Sequence, residues 1–219
     1  MEWKRKRNRR RNPLLREAFK MMKAFREEMP HCLFITNRTA LLQNLPQNSV
    51  CAEIGVFNGS FSKEILNISK PSKLHLIDCW EHQDQNIYHC GHNKTNKEFE
   101  KVYKQVCQTF SQYKQVQIHK EMSINAAKNF NNEYFDWIYV DGNHSYECVK
   151  ADLLAYEPKV KAGGTICGHD YANHSLAIDH HYGVIRAVNE FCEERGWNIV
   201  SLTDQPFPSY TLKKYKDIP

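Results

Sequence analysis

The sequence contains no long hydrophobic run. No stretch of its 219 residues approaches the roughly 18 consecutive apolar residues that a membrane-spanning helix needs. The N-terminus also lacks the apolar segment of a secretory signal. We therefore expect a cytoplasmic protein without a transmembrane segment.

Paired cysteines are also missing. The chain has eight cysteines, none in a C-x-x-C pair, and several lie in apolar runs where a free thiol acts as a small buried hydrophobe. We interpret them as reduced thiols rather than a disulfide framework. The segment "HCGH" at 89–92, near Cys79 and His82, lacks the second spaced pair of ligands of a zinc site. It belongs instead to a polar loop over 80–95, which we interpret as a lid.

The body of the chain has little net charge of either sign. Residues 1–12 carry seven of the 30 Lys and Arg and one of the 25 Asp and Glu. The remainder holds 23 basic and 24 acidic residues, so the net charge of +5 comes from a terminal arm. We predict a disordered basic arm over 1–13 that contacts nucleic acid or an anionic surface, or that is solvated without a specific partner.

Glycine is scarce, and the dinucleotide-binding motif G-x-G-x-x-G is absent. Two of the nine glycines, Gly55 and Gly59, nevertheless lie four residues apart where the strand-like run "VCAEIG" (50–55) gives way to a helical pattern. A glycine at such a turn permits positive φ, or a close approach that a Cβ would block. A tight turn without a ligand is the simpler explanation, so a ligand-binding role of the two glycines depends on what the neighbouring segments indicate.

Strand-like and helical segments alternate along the chain after two N-terminal helical patterns at 14–29 and 39–45. Such alternation predicts βαβ units and a parallel sheet with helices on both faces. The strand-like runs are 50–55, 73–78, 116–121, 135–141, 164–170 and 198–203, and the helical patterns between them lie near 60–69, 95–112, 123–130, 145–157 and 183–195. A last run at 210–215 follows without a helix, so we expect an antiparallel terminal strand. We predict N-terminal helices over 14–46 and an α/β, Rossmann-like doubly wound domain over 47–219.

Polar residues follow the predicted strands, where sheets of this type bind their ligands. Asp78 comes 23 residues after Gly55 and suits the two hydroxyls of a ribose. The spacing E-x-G-x-x-x-G from Glu53 to Gly59, with a strand-end acid, suits S-adenosylmethionine better than a dinucleotide. Glu53 would then orient the loop or meet the ammonium group of the cofactor. Other polar residues at strand ends are Ser123, Asp141, His144, His169 and Asp170.

The sequence resembles the class I S-adenosylmethionine-dependent methyltransferases, and within them the macrolide-sugar O-methyltransferases and their cephalosporin-pathway relatives. The segments that carry this resemblance are "AEIGVFNGSFSKEIL", "LHLIDCW", "DWIYVDGNHSYECVKADL", "GGTICGHDY" and "GVIRAVNEF". It implies a seven-stranded sheet with an antiparallel last strand, and a bound cofactor. The predicted cofactor-binding residues are Glu53, Gly55, Phe57, Asn58, Gly59, Ser60, Asp78, Cys79, Trp80, Ser123 and Asp141. Trp80 would pack against the adenine or cover the strand end.

The same relatives often use a divalent metal to hold the oxygens of the acceptor, and Asp141 and Asp170 match the positions of its ligands. Two carboxylates suit Mg²⁺. An imidazole from His169 would favour a softer ion such as Mn²⁺ or Fe²⁺, unless His169 is not a ligand. Helix capping and salt bridges are the alternative roles for the two aspartates.

His144 is the predicted general base, because a neutral imidazole near pH 7 suits the removal of a hydroxyl proton. The alternative is a histidine that caps the following helix or lies on the surface. His174, His180 and His181 belong to an insertion after the fifth strand, where they would contact substrate or lie in a solvated loop.

The predicted function is metal-assisted O-methylation of a hydroxylated small molecule such as a sugar, with S-adenosylmethionine as donor and Mg²⁺ or Mn²⁺ as metal. The alternatives are a metal-independent or RNA-directed methyltransferase, or a nucleic-acid-binding module with a non-catalytic cofactor pocket. The near-neutral body disfavours the last of these. The helix at 14–29 would either cover the site or pack against another subunit in a homo-oligomer.

Overall fold

The computed structural model describes residues 13–83, 93–173 and 182–215. Several predicted features lie outside the described residues, namely the basic arm over 1–12, the "HCGH" segment, and His174, His180 and His181. Within the described residues, no helix combines the length and the apolar character needed to cross a membrane. The seven cysteines among them are all free thiols.

The described residues form eight strands and seven α-helices. The strands are β1 (Leu33–Ile35), β2 (Val50–Ile54), β3 (Lys73–Asp78), β4 (Val116–Lys120), β5 (Phe135–Val140), β6 (Val160–Gly168), β7 (Trp197–Thr203) and β8 (Tyr210–Lys214). The helices are α1 (Pro13–Glu28), α2 (Arg38–Gln43), α3 (Ser60–Ile68), α4 (Asn96–Phe110), α5 (Ser123–Ala126), α6 (Tyr146–Tyr156) and α7 (Val184–Arg195). Short 3₁₀ helices follow α5 (Ala127–Asn129) and α6 (Glu157–Lys159).

All eight strands join one sheet in the order β1-β7-β8-β6-β5-β2-β3-β4. Every neighbouring pair is parallel except the two pairs that β8 makes with β6 and β7. The predicted α/β doubly wound fold with an antiparallel last strand is confirmed. The sheet has eight strands rather than seven, because the three-residue β1 adds to the edge of β7, with Leu33 beside Ser201.

The order of the strands reverses at β2, which lies between β3 and β5. Side chains of β5 alternate between two core layers, Trp137 and Tyr139 on one face and Ile138 and Val140 on the other. Strands buried on both faces have near-continuous hydrophobic sequences, which is why these strands were predictable. The crevice at the carboxyl ends of β2 and β5 is where this topology binds a ligand.

The N-terminal segment, which we define as α1 to α2 (residues 13–43), packs on the β7 side of the sheet. Met22 and Phe25 of α1 are buried in the core, and the ring of Phe25 lies 5.3 Å from that of Tyr171. The amide of Asp204, after β7, donates to the carbonyl of Ile35 at 2.7 Å. Helix α1 thus covers its own sheet beside the end of β6. Packing of this helix against a second subunit stays a prediction.

Candidate functional site

The backbone itself requires glycine at positions 55 and 59. Gly55 has a φ of +90°, and a Cβ there would lie 2.2 Å from the carbonyl oxygen of Asp141. Gly59 has a φ of +74° at the N-cap of α3, where a Cβ would lie 2.7 Å from the ring of Phe110. Positive φ and close packing therefore explain both glycines. The contact between Gly55 and Asp141 also brings the loop after β2 against the end of β5.

Asp78, at the end of β3, holds two loops together. Its Oδ2 accepts hydrogen bonds from the amides of Val56 and Phe57, both at 2.9 Å. Its Oδ1 accepts from the amide of Trp80 at 2.8 Å. Burial raises the pKa of Asp78, and these amides offset part of the rise. Because a carboxylate has about four acceptor positions, one remains for a ligand.

A cavity of about 260 Å³ opens at the carboxyl ends of β2, β3 and β5. The loops after β2, β3, β4 and β5 line it, together with one side of α6. It therefore lies at the crevice that the strand order indicates. Six of the predicted cofactor-binding residues line this cavity: Gly55, Phe57, Asp78, Cys79, Ser123 and Asp141.

The other five predicted cofactor-binding residues do not line the described wall of the cavity: Glu53, Asn58, Gly59, Ser60 and Trp80. Glu53 is buried behind the glycine loop, where it accepts a hydrogen bond from the hydroxyl of Ser62, and burial raises its pKa well above the usual value. The indole of Trp80 is buried and donates to the carbonyl of Phe57 at 2.8 Å. This geometry fits the second of its predicted roles, covering the strand end.

Asp152 is a cavity residue that the sequence analysis missed. It lies on α6, is 4% exposed, and accepts a hydrogen bond from the hydroxyl of Ser123. Burial raises its pKa to about 6, against a smaller lowering by Ser123. It follows no strand, so the strand-end rule did not select it. The available signal was an acid on the same helical face as the apolar Val149 and Tyr156.

Four ionisable side chains, which we call the Asp–His cluster, meet at the carboxyl ends of β5 and β6: Asp141, His144, His169 and Asp170. Nε2 of His144 lies 3.6 Å from Oδ1 of Asp141 and 3.2 Å from Oδ2 of Asp170. Nδ1 of His169 lies 3.5 Å from Oδ1 of Asp141 and 3.0 Å from Oδ1 of Asp170. Asp170 has a φ of +54°, a conformation that costs energy outside glycine and recurs at functional sites. The structure thus brings the predicted metal ligands and the predicted base together.

Charges in the Asp–His cluster balance one another. Burial alone would lower the pKa of His169, but Asp141 and Asp170 outweigh it and raise that pKa to about 10. The pKa of His144 is also raised, since the same two carboxylates outweigh its burial. Burial would raise the pKa of Asp141, but His169 and His144 hold it below its usual range. Protons on the imidazoles therefore neutralise the carboxylates when no other cation does so.

The spacing of the cluster also fits a divalent cation. Ligand atoms from Asp141, His144 and Asp170 all lie within 4.8 Å of one another. Atoms that bind one ion at about 2.1 Å lie roughly 3.0–3.5 Å apart, which is close to the separations around Nε2 of His144. That nitrogen is buried and has no partner in hydrogen-bonding geometry among the described residues. A buried nitrogen between two carboxylates is suited to hold either a proton or a metal ion.

The alternative role of His144 as a helix cap is wrong. Ser145 is the N-cap of α6, and its side chain accepts from the amide of Cys148 at 3.3 Å. The ring of His144 instead packs 4.7 Å from that of Tyr182. His144 is thereby directed into the cluster rather than along the helix.

Arg38, at the start of α2, is a second residue of the site that the sequence analysis missed. Its Nη1 lies 3.2 Å from Oδ2 of Asp141, with the two side chains 28% and 19% exposed. Its guanidinium carbon lies 3.9 Å from the centre of the Phe61 ring. Asp141 therefore takes part in a salt bridge through Oδ2 while its Oδ1 faces the histidines. No local pattern reveals this contact, because the two residues are 103 positions apart.

Residues 52–171 match the model of a protein family described as a methyltransferase domain. The match covers more than half of the chain. The chain belongs to this family. A comparison with curated protein sequences gives no significant match. The matched segment of the methyltransferase contains the glycine loop, Asp78, Asp152 and all four residues of the Asp–His cluster.

Solved structures share the fold of this methyltransferase at low sequence identity. A putative caffeoyl-CoA O-methyltransferase from Staphylococcus aureus is 16% identical, with a TM-score of 0.56 over 89% of this chain and 91% of that chain. The N-methyltransferase NodS from Bradyrhizobium japonicum WM9, in complex with S-adenosyl-L-homocysteine, is 14% identical, with a TM-score of 0.52 over 93% and 89%. Fibrillarin from Aeropyrum pernix, with natively bound S-adenosyl-L-methionine, is 10% identical, with a TM-score of 0.55 over 80% and 73%. The finer resemblance to macrolide-sugar O-methyltransferases stays a prediction.

Proposed function

We propose that this methyltransferase takes its methyl group from S-adenosylmethionine bound in the cavity at the ends of β2, β3 and β5. Asp78 keeps one acceptor position for a ribose hydroxyl, and Gly55 and Phe57 carry the glycine loop along the cavity wall. Two proteins of the same fold, NodS and fibrillarin, bind this cofactor or its demethylated product. These observations support S-adenosylmethionine as the methyl donor, whatever molecule accepts the methyl group.

The acceptor in this proposal is a hydroxyl oxygen of a hydroxylated small molecule, such as a sugar. The single observation that carries it is the position of Asp141, which lines the cavity and also belongs to the Asp–His cluster. A methyl donor in the cavity and an acceptor held at the cluster would thus meet at one residue. Methyl transfer needs the two reacting atoms aligned and close, and positioning accounts for much of such catalysis.

Asp141, Asp170 and His169 are the proposed ligands of a divalent ion, Mg²⁺ or, because of the imidazole, Mn²⁺. The compact ligand set of the structure contains His144 in place of His169, and we assign the base to His144 and the imidazole ligand to His169, as the sequence predicts. A bound ion would orient the oxygens of the acceptor and lower the pKa of its hydroxyl. Nε2 of His144 would take the hydroxyl proton as the oxygen attacks the methyl carbon and the bond from carbon to sulfur breaks. The products would be the methyl ether and S-adenosylhomocysteine.

The test separates cofactor binding from catalysis. Protein freed of metal by chelation is titrated with S-adenosylhomocysteine by calorimetry. It is then assayed for methyl transfer from labelled S-adenosylmethionine to a panel of sugars, phenols, catechols, amines and RNA, with and without Mg²⁺ or Mn²⁺. We expect metal-independent binding of S-adenosylhomocysteine and metal-dependent transfer. Asp170→Asn should bind S-adenosylhomocysteine normally, because Asp170 lies outside the described cavity wall, yet it should not recover activity with metal.

Each part of the proposal can fail separately. If S-adenosylhomocysteine does not bind, the donor is wrong. If the chelated protein turns over at the full rate, Asp141 and Asp170 are structural and the methyltransferase is metal-independent. If only amines or RNA are methylated, the acceptor is wrong.

A further inference from the structure

The sequence contains one Asn-Gly pair, formed by Asn58 and Gly59 in the loop between β2 and α3. The backbone requires glycine at position 59, because its φ is +74° and a Cβ there would lie 2.7 Å from the ring of Phe110. Asn58 is exposed to solvent. The carboxamide of Asn58 is therefore open to water and is followed by a residue that has no side chain to shield its peptide nitrogen.

A hydrogen bond in this loop folds the Asn58 side chain back over the main chain. Oδ1 of Asn58 accepts from the amide of Ser60 at 3.0 Å, which is the arrangement of an Asx turn. The ring that this hydrogen bond closes contains the Gly59 nitrogen, so Cγ of Asn58 is held close to that nitrogen. The Ser60 amide also stabilises negative charge on Oδ1. The side-chain carbonyl of Asn58 is thus an activated electrophile beside a peptide nitrogen.

We propose that Asn58 is a site of spontaneous deamidation in the folded protein, and that isoaspartate formed there ends binding of the methyl donor. The co-reactant is water, which reaches the exposed side chain. The hydrogen bond from the Gly59 amide to the carbonyl of Val56, at 2.9 Å, must open first, because this amide loses its proton in the reaction. The effect on the donor rests on the proposed function, whereas the chemical step does not.

The modification takes place in two steps, without oxidation or reduction. The Gly59 nitrogen first attacks Cγ of Asn58, and the new bond closes a succinimide ring. The side-chain nitrogen of Asn58 leaves as ammonia and carries away the proton of the Gly59 amide. Water then opens the ring at either carbonyl carbon. Opening at Cγ gives aspartate, and opening at the main-chain carbonyl carbon gives isoaspartate, in which the main chain runs through Cβ and Cγ.

An isoaspartate lengthens the main chain of a loop that is held at both ends. On one side, the amides of Val56 and Phe57 donate to Oδ2 of Asp78, both at 2.9 Å. On the other side, Gly59 caps the start of α3 and packs against Phe110. The added carbon must therefore displace Phe57 from the cavity wall or break its hydrogen bond to Asp78. Loss of one hydrogen bond to a carboxylate corresponds to an affinity reduced about 10- to 100-fold.

The test follows the full chain during incubation under native conditions in mildly alkaline buffer. Peptide mapping by mass spectrometry measures the replacement of NH₂ by OH and the formation of isoaspartate. We expect Asn58 to react at least about tenfold faster than Asn67, which is also exposed but lies within α3 and precedes the β-branched Ile68. Calorimetry with S-adenosylhomocysteine on the same samples should show a binding fraction that falls as isoaspartate accumulates at position 58.

Asn58→Gln and Asn67→Gln are the matched variants. Each is compared with its own fresh preparation, so that only changes during incubation are counted. The longer side chain in Asn58→Gln would have to close a larger ring, which forms more slowly, so this variant should keep its binding fraction throughout. Asn67→Gln retains Asn58 and should lose binding at the wild-type rate.

The outcomes distinguish this inference from the proposed function. If Asn58 stays unmodified, or reacts no faster than Asn67, the inference is overturned and the proposed donor still stands. If isoaspartate accumulates at position 58 while the binding fraction stays constant, its effect on the donor is overturned. If fresh protein does not bind S-adenosylhomocysteine, the proposed function fails, and the effect on the donor fails with it. The peptide map then still decides whether Asn58 is a deamidation site.

Discussion

Two imidazoles face the same pair of carboxylates in the Asp–His cluster. Nε2 of His144 and Nδ1 of His169 each lie within 3.6 Å of both Asp141 and Asp170. His169 directly precedes Asp170 on the same strand end, whereas His144 comes from the loop before α6. The two rings therefore reach the carboxylates from different elements. The proposed division of roles, with His169 as ligand and His144 as base, is testable through pH.

The first prediction for a single residue concerns His144. As a base it must be neutral, so the rate should rise with pH through its pKa. The two carboxylates raise that pKa above the usual value in the absence of metal, and a bound divalent cation should lower it again. His144→Ala should reduce kcat by about 10²–10⁴, remove the rise with pH, and leave the affinity for S-adenosylhomocysteine unchanged.

Steady-state rates across a pH series, with calorimetry for binding, measure all three effects. His82→Ala is the control, because His82 lies on the loop after β3, where its Nδ1 is 2.9 Å from the carbonyl of Lys94. A His144→Ala protein with a normal rate and an unchanged pH profile would move the search for the base to His169.

At the scale of elements, α2 connects the N-terminal segment to the Asp–His cluster. Asn37 caps this six-residue helix by accepting from the amide of Ala40 at 2.9 Å. The amide of Arg38 donates to Oε1 of Gln205 at 3.1 Å, so the loop between β7 and β8 fixes the start of the helix. The Arg38 side chain then contacts Phe61 and Asp141 together. A short helix outside the family match thus supplies a cation to the site.

We expect Arg38→Met to reduce kcat at least about tenfold while changing cofactor affinity little. Methionine retains the contact with Phe61 but leaves Oδ2 of Asp141 without its cation, which should cost about 1–3 kcal/mol of folding stability. Arg38→Lys should restore part of both losses. Urea unfolding and steady-state kinetics measure them.

Arg26→Met is the matched control for that experiment. Arg26 also makes a salt bridge, at 3.2 Å to Asp204, and also lies over an aromatic ring, that of Phe34. Both members of its salt bridge are nearly half exposed, so the loss of folding stability should stay below about 1 kcal/mol. The kinetics of the Arg26→Met protein should be normal. Equal effects from the two variants would show that Arg38 has no special role at the site.

Sequence patterns predicted those elements and residues whose signal is local. β2, β3 and β5 are largely apolar and buried on both faces. Asp78 ends β3 and Asp141 follows β5, so both the strands and the polar residues could be predicted. β1 could not, because it has three residues and Leu33 is exposed. Arg38 could not either, since it reaches the site across 103 positions. Asp152 lies in the middle of a helix, where the one signal for it was an acid on the buried face of that helix.

At the scale of the whole molecule, Glu157 connects the elements on one side of the fold. It follows α6, and its Oε2 accepts from Arg195 at 2.7 Å. Its Oε1 accepts from the indole of Trp197 at 3.1 Å and lies 3.2 Å from Nζ of Lys214. One carboxylate therefore joins the ends of α6 and α7 to β7 and β8.

Acid should weaken these connections. Burial would raise the pKa of Glu157, but Trp197, Arg195 and Lys214 outweigh it and lower that pKa below its usual value. Its contribution to stability is therefore present above the unfolded-state pKa of about 4.5 and is lost as the pH falls through the folded-state value. Glu157→Gln should cost about 1 kcal/mol at pH 7, since the partly exposed cations are screened by solvent.

Urea unfolding at a series of pH values tests this expectation. The wild-type and Glu157→Gln proteins should differ at neutral pH and converge in acid. A difference that stays constant across the series would mean that the ionised form of Glu157 gives no stabilisation.

The order of the strands also sets an order of events during synthesis. Within the sheet, β1 pairs with β7, and β7 joins the remaining strands through β8. Strands β2 to β6 are mutually paired without β8, so a growing chain can assemble them and the cavity between them first. The long-range pairing of β1 must wait for a strand made near the end of the described chain. The segment that carries Arg38 is therefore translated early but reaches its final position late. An incomplete chain that ends before β8 would hold the cavity at the ends of β2, β3 and β5 without the arginine beside Asp141.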